Sequence, residues 1–323
     1  MMGPAFSAEA SPAGASCLEL SALYPENPFA TEAYMRTEQG MGAEAWLLGC
    51  RDQGRLTCGC LGFLNRGRLN CALNIPSLPA VPEEFWSGLK EFLRQQSCTI
   101  LDLGTFASAG SAIPALGKEQ SRTTRYEFII PLEGSPEDLL SRMQMQHRQR
   151  VRKGMNAGLV FRSGDQCSLV AHEQLFSASM GRRESRGEDI ESRVTAQAVQ
   201  PFLESGFCGL YQAVLNDQVI SSATVAYAQG GRYLHTSGTS PEGMKMGASH
   251  FLVHELMKDA KKAGCSVFNL GGTFDLDSGL AQYKKHFGAR SVESQSAQFF
   301  VGGSLREAVS SAAGTLLRWK RSL

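Results

Sequence analysis

The chain has 323 residues, 42% apolar and 20% charged, with a formal net charge of +1. That length supports two domains with cores of their own, and the apolar share excludes a disordered chain. Near-neutral charge excludes an overall electrostatic footprint for nucleic acid, so any such contact must rest on a local basic patch.

Nine cysteines, an odd number with no CxxC pair, fit a reducing cytoplasm in which buried thiols act as small hydrophobes. Cys58 and Cys60 share a strand face, but no histidine cluster accompanies them, so no metal is expected. The opening MMGPAFSAEASPAGASC lacks basic residues and an apolar run, which predicts no secretory signal. No segment approaches transmembrane length, and a cytoplasmic location is expected.

In chain order, residues 1–16 are small and polar and are expected to be mobile. Residues 31–39 read as a helix, followed by strands at 46–51, 55–63 and 69–75. Hairpin turns at Asp52-Gln53-Gly54 and Asn65-Arg66-Gly67 join these strands. Pro76, Pro79 and Pro82 precede a helix over 83–96 and a strand over 99–103, closing a first domain over 17–135. Residues 136–160 read as a basic linker helix. Leu139, Leu140, Met143, His147 and Val151 fall at helical spacing, and Arg142, Arg148, Arg150, Arg152 and Lys153 form a basic surface. That surface is either solvated or grips phosphate groups of a ligand through Arg152 or Lys153.

A second domain is expected over 161–303. Residues 172–204 read as helical around a charged loop at 181–189, where Arg182 and Arg186 are either solvated or, by likeness to double-domain enzymes with an Arg-containing turn here, anchors for a substrate. A strand over 232–239 reaches a turn at Ser240, Pro241 and Gly243, and a helix starts near Gly247 with Phe251, Leu252, Leu256 and Ala260 on one face. Gly264 stops it, and residues 265–270 read as a buried strand, giving a right-handed βαβ unit with parallel strands. The amides of Met246, Gly247, Ala248 and Ser249 at that helix start, with the charge of Lys245, form either a phosphate-docking loop or an ordinary βα turn. A final strand over 296–301 precedes an amphipathic helix over 304–323. That helix either packs on the body or touches a membrane surface.

The halves repeat. Residues 97–106 match 264–274 with Cys98 against Cys265, and LLGCRDQGRLTCGCLGF pairs with LYQAVLNDQVISSATVA, setting Asp52 against Asp217. Offsets near 165 residues predict a duplicated domain. Prolines replace the helix-start glycine in the first half, so the donor site is expected in the second. The first half is expected to contribute an acceptor groove at the domain interface.

The run Asn269-Leu270-Gly271-Gly272-Thr273-Phe274, then Ser278-Gly279-Leu280-Ala281-Gln282-Tyr283-Lys284-Lys285-His286-Phe287-Gly288, resembles the Fem aminoacyltransferases and related double-domain GNAT acyltransferases. MKMGAS fits the acyl-CoA loop of the GNAT fold at Gly247 and loosely at Ser249, but fails at Met244. Arg148 to Gly154 is similar to the helix that joins the two Fem domains. The resemblance implies an α+β protein of two tandem GNAT-like domains, each a mixed twisted sheet flanked by helices. It implies an N-acyltransferase acting on an amine acceptor, a small molecule or peptide from the bacterial cell envelope or a natural-product route. The co-substrate would be acyl-CoA or aminoacyl-tRNA, with no tightly bound cofactor. Fem enzymes transfer amino acids from aminoacyl-tRNA to peptidoglycan precursors, which would make tRNA a partner.

By the same resemblance Lys284 and Tyr283 lie at the reaction centre, and amides of Thr236, Ser237 and Gly238 polarise the carbonyl. Tyr283 would act as general acid and Lys284 as a charge for the oxyanion or for donor phosphate. Asp275, Asp277 and His235 are candidate bases. His235 is equally a hydrogen-bonded core residue, Tyr283 equally a plug between helix and sheet. His250, His254 and His286 read as packing residues. A silent double-GNAT scaffold for an envelope precursor or protein partner is the competing reading.

Overall fold

The computed structural model describes residues 4–68, 70–106, 112–165, 168–187 and 196–302. They fall into two units, one of Met1–Tyr24, Phe29–Arg125 and Glu293–Leu323, the other of Pro25–Pro28 and Tyr126–Val292.

The first unit is built on a sheet of β1 (Ala5–Ala10), β2 (Glu44–Asp52), β3 (Arg55–Arg66), β4 (Cys71–Leu78) and β5 (Ile100–Thr105), in that order. The next strands are β12 (Arg290–Phe300) and the first half of β6 (Lys118–Pro131). Helices α1 (Ala15–Leu23) and α2 (Glu32–Gly40) pack on β3 and β2, and α3 (Glu83–Gln95) packs on β1 and β2. In α3 the buried Phe85, Trp86, Leu89, Phe92 and Leu93 recur at helical spacing, with Glu83 and Glu84 in the first turn and Arg94 in the last. Each of the fully buried Phe85 and Leu89 contributes about 1.5–3 kcal/mol of transfer free energy.

The second unit repeats the plan. Its strands run β7 (Val160–Ser163), β8 (Cys208–Leu215), β9 (Gln218–Tyr227), β10 (Gly231–Thr239), β11 (Val267–Thr273) and the second half of β6. Its helices are α4 (Pro136–Arg142), α5 (Met145–Asn156), α6 (Leu169–Glu184), α7 (Ala196–Glu204), α8 (Pro241–Met246), α9 (Ala248–Lys262) and α10 (Gly279–Lys285). Phe251, Leu252, Leu256, Met257 and Ala260 of α9 share a core with Val151, Ala223, Val225, Phe268 and Phe287. In both units an antiparallel hairpin is followed by an antiparallel strand, a helix and a parallel strand, then closed by an antiparallel strand. This is the duplicated α+β plan.

The structure corrects several expectations. Residues 5–10 are not a mobile tail: β1 pairs with residues 46–51 of β2, because backbone pairing needs no apolar alternation that composition would reveal. The hairpin match is offset by two residues. The two-residue turns are Gln53-Gly54 and Asn216-Asp217, all four at positive φ, so Asp52 corresponds to Leu215 rather than Asp217. The linker is two helices inside the second unit, broken at Met143 (ψ 151°), where Arg148 donates to the carbonyls of Ser141 and Met143. Gly181 to Glu184 continue α6 rather than opening a loop. The last strand, β12, closes the first unit, and the charged start of β6 hid that strand from the sequence reading. Residues 304–323, the expected terminal helix, lie outside the described residues. Among the described residues no helix is long and apolar enough to cross a membrane.

Candidate active site

The parallel strands β10 and β11 are paired only at Gly231–Val267, Arg232–Phe268 and Tyr233–Asn269. Beyond that point β10 stays with β9 as far as Thr239, and β11 stays with β6 as far as Thr273. A bulge at His235 and another between Asn269 and Gly272 accompany the parting. In the first unit the equivalent strands β4 and β5 remain paired from Ala72–Ile100 to Leu78–Thr105. The opening therefore belongs to the second unit, where main-chain groups are released from the ladder.

Gly271 sits at the fork with φ 72°. A Cβ there would lie 3.2 Å from the Leu234 carbonyl oxygen, 3.5 Å from the Tyr233 hydroxyl and 3.8 Å from Lys284 Nζ, so these groups converge on one point. Lys284 is 7% exposed, donates to the Gly272 carbonyl (2.9 Å), and holds its ammonium 5.6 Å from the centre of the Phe128 ring. Asn269 accepts from the Gly271 amide (2.8 Å) and donates to the buried Glu127 (3.0 Å), which pairs with Gly272 across β6 and β11. Glu127, Asn269 and Tyr233 were missed by the sequence reading. Only an unexplained acid within the apolar end of β6, YEFIIP, signalled the first.

Tyr283, one residue before Lys284 on α10, turns toward the start of α9. Its hydroxyl is turned toward Ser249, whose own hydroxyl lies 3.3 Å from His250 Nδ1. His147, His250 and Phe287 surround the ring at 5.1–5.3 Å between centroids. His147 Nε2 donates to the Tyr283 carbonyl (3.0 Å), which fixes the tautomer of that imidazole. Burial pushes the Tyr283 hydroxyl up to about 12 and His147 down to about 4. It pushes His250 down to about 3. The tyrosine therefore keeps its proton, and both imidazoles are neutral, throughout the neutral range.

The proposed donor loop differs from expectation. Gly247 is left-handed (φ 76°), and its amide caps α8 by donating to the carbonyls of Gly243 and Met244. A Cβ there would meet the Arg150 carbonyl, so the backbone of α5, not a ligand, makes the close approach. Met246 closes α8, Ala248 is buried, Lys245 is exposed, and Ser249 faces Tyr283. The amides of Ala248, Ser249 and His250 form the first turn of α9. On β10 the Thr236 amide is taken by Thr224 Oγ1 (3.2 Å) and Gly238 lies against α6, while the side chain of Ser237 is exposed.

The basic candidates do not gather at the fork. Arg152 and Lys153 are exposed on α5, whereas Arg150 of that helix acts electrostatically on His147 and His250. Arg182 braces the sheet, donating to Ser179 and to the Thr239 carbonyl, and Arg186 is exposed one turn further on. Asp275 accepts from the Asp277 amide (2.8 Å) in the turn that leads into α10, which is a structural task. His235 is largely enclosed beside Phe202 and Phe207 with no partner at Nδ1 among the described residues, and His254 contacts Glu255. His286 lies 5.2 Å from His147, so it packs with that cluster. Among the described residues no group of three His, Cys, Asp or Glu has the geometry to hold a metal. The eight described cysteines are free and buried, and burial pushes Cys50 and Cys98 up to about 12.

Comparison with known proteins bears on this geometry. Residues 141–285 match the acetyltransferase (GNAT) domain family. Among solved structures, FemX superposes with a TM-score of 0.66 at 13% identity, over 89% of this chain and 96% of that one. A tandem GNAT protein from the clavulanic acid biosynthesis pathway gives 0.54 at 11% identity, over 93% and 99%. The C-terminal domain of a putative lysylphosphatidylglycerol synthetase from Agrobacterium fabrum gives 0.53 at 12% identity, over 93% and 96%. No curated protein sequence matches. Residues 141–285 form an acetyltransferase (GNAT) domain, and the forked strands lie within it. More particularly, the fold of the chain is similar to those of FemX and of that tandem GNAT protein over most of their length.

Proposed function

We propose that the second unit transfers an acyl group from an acyl-CoA thioester to the amine of a small acceptor, at the fork between β10 and β11. The observation that carries this reading is the pairing of a buried ammonium, Lys284, with a protonated tyrosine, Tyr283, on adjacent residues of α10 beside released backbone. The amine nitrogen attacks the thioester carbonyl, and negative charge gathers on its oxygen, where Lys284 opposes it in a low-dielectric site. As the carbon–sulfur bond breaks, the Tyr283 hydroxyl gives its proton to the departing thiolate. Ser249 and His250, beside that hydroxyl, are the route we assign to the proton that Tyr283 regains. Glu127, buried opposite Gly272, is the base we assign to the proton lost by the amine.

One observation favours a second donor, aminoacyl-tRNA. The Gly247 amide is spent on capping α8, which takes one amide from the loop that would hold a pyrophosphate. Titrating CoA, acetyl-CoA and charged tRNA separately while following the melting temperature decides between them. Saturable stabilisation by CoA supports the thioester reading, stabilisation by charged tRNA alone moves the donor assignment to the ester, and no shift with either sinks the transferase site proposed here.

A further inference from the structure

The first unit carries a cavity of about 290 Å3 on the polar side of its sheet, lined chiefly by Asn74 of β4, Asp102 of β5, Ser121 and Thr123 of β6, and Ser296 and Gln298 of β12. Strand alternation explains the lining. Leu73, Ile75, Leu101, Leu103, Ala297 and Phe299 point their side chains to the other face and form the core with α3, so their neighbours must face the cavity. Register then brings the polar groups together: Asn74 lies beside Asp102, and Gln298 lies opposite it. Gly104 keeps the floor low, since a Cβ there would stand 3.0 Å from the Pro76 carbonyl oxygen.

These groups hold unused hydrogen-bonding capacity. Gln298 Nε2 donates to one Asp102 oxygen (2.7 Å), which leaves the second oxygen facing the space. Among the described residues no protein group bonds the side chains of Asn74, Ser121, Thr123 or Ser296. No lysine or arginine lines the cavity. The nearby Arg122 is turned to the opposite face, over Phe299, and is committed to Glu119 and the Ile113 carbonyl.

We propose that this cavity binds an amine-bearing polyol of monosaccharide size, its ammonium on Asp102 and its hydroxyls on Asn74, Gln298 and the serine and threonine hydroxyls. The chemistry narrows the class. Phosphates, nucleotides and free amino acids bring an anionic group that finds no cation here and meets the Asp102 carboxylate instead. A simple diamine fills the charge but leaves the amide and hydroxyl donors without acceptors. An amino sugar satisfies both, because its hydroxyls donate and accept at several points around one positive charge. The site is independent of the acyl-transfer reading and uses none of its residues.

The test is isothermal titration of the full-length protein with glucosamine, glucose and glucose 6-phosphate. Glucosamine is expected to bind saturably and about tenfold or more tighter than glucose, with glucose 6-phosphate weakest. The variant Asp102→Asn keeps the shape and removes the charge, so glucosamine and glucose should then bind within about threefold of each other. Asn74→Leu should weaken both by about tenfold, and unchanged melting curves establish that each variant is folded. The proposal is overturned if wild-type protein shows no saturable glucosamine binding, if Asp102→Asn preserves the preference, or if glucose 6-phosphate binds as well as glucosamine. It is equally overturned if Lys284→Met abolishes glucosamine binding, since the sugar would then occupy the acyl-transfer site.

Discussion

Tyr283 and Lys284 are chain neighbours, yet helical geometry sets them about 100° apart, so one reaches the start of α9 and the other the end of β11. That separation lets one short helix serve two ends of a reaction: charge at the carbonyl oxygen and a proton at the leaving group. Replacing Tyr283 with Phe removes the acid while keeping the ring among His147, His250 and Phe287. We expect kcat to fall about 100-fold or more, with KM for the amine nearly unchanged, in steady-state assays with the donor saturating. Lys284→Met keeps the stem and removes the ammonium. Loss of the bond to the Gly272 carbonyl should destabilise by about 1–3 kcal/mol in urea titrations. Rate assays on the folded variant should show kcat/KM lower by about 100-fold. Equal activity in this variant would remove Lys284 from the chemistry.

At the scale of elements, the junction of α8 and α9 decides how the second unit is assembled. Gly247 ends one helix and begins the next in a left-handed conformation, directly under the α5 backbone at Arg150. Gly247→Ala therefore meets two penalties, a positive φ and a steric block by main-chain atoms that cannot turn aside. We expect a loss of more than about 1 kcal/mol, read as a lower urea midpoint with unchanged m-value. The sequence singled out this residue for the close approach of a ligand to the backbone, and a glycine required by an adjacent helix looks the same in sequence as one required by a ligand. In α6, His172 joins Ser222 Oγ and Thr236 Oγ1 at 2.9 Å each, a fully enclosed polar network whose members are scattered over 64 positions.

Across the molecule, buried neutral imidazoles make stability depend on acid. Burial holds His147 and His172 near about 4. An unfolded histidine titrates near 6.5. The unfolded chain therefore binds more protons between those values, and stability must rise with pH there. The contribution of these two groups is fully present above about pH 6.5 and declines as pH falls toward 4, by roughly 1 kcal/mol per pH unit for each. Urea midpoints measured from pH 7.5 down to pH 4.5 should stay level above 6.5 and then drop. Replacing His147 and His172 by Gln should make that drop shallower while His250 sustains part of it, and an unchanged slope would assign the acid sensitivity to other groups.

What the sequence determined by itself was the plan of local elements and their duplication. Hairpin turns, the α3 and α9 apolar stripes and the glycine stops are encoded over a few residues, and so is the Tyr283-Lys284 helix with its Ser278 cap. Only the tertiary structure decided that β6 and β12, each remote in sequence from most strands of its sheet, close those sheets. It alone brought Glu127 opposite Gly272 and His147 against Tyr283, and lined a cavity with Asn74, Asp102 and Gln298. The physical reason is that turn chemistry and periodicity act between near neighbours. Strand register and side-chain convergence join residues 28 to 224 positions apart, and no short pattern records them.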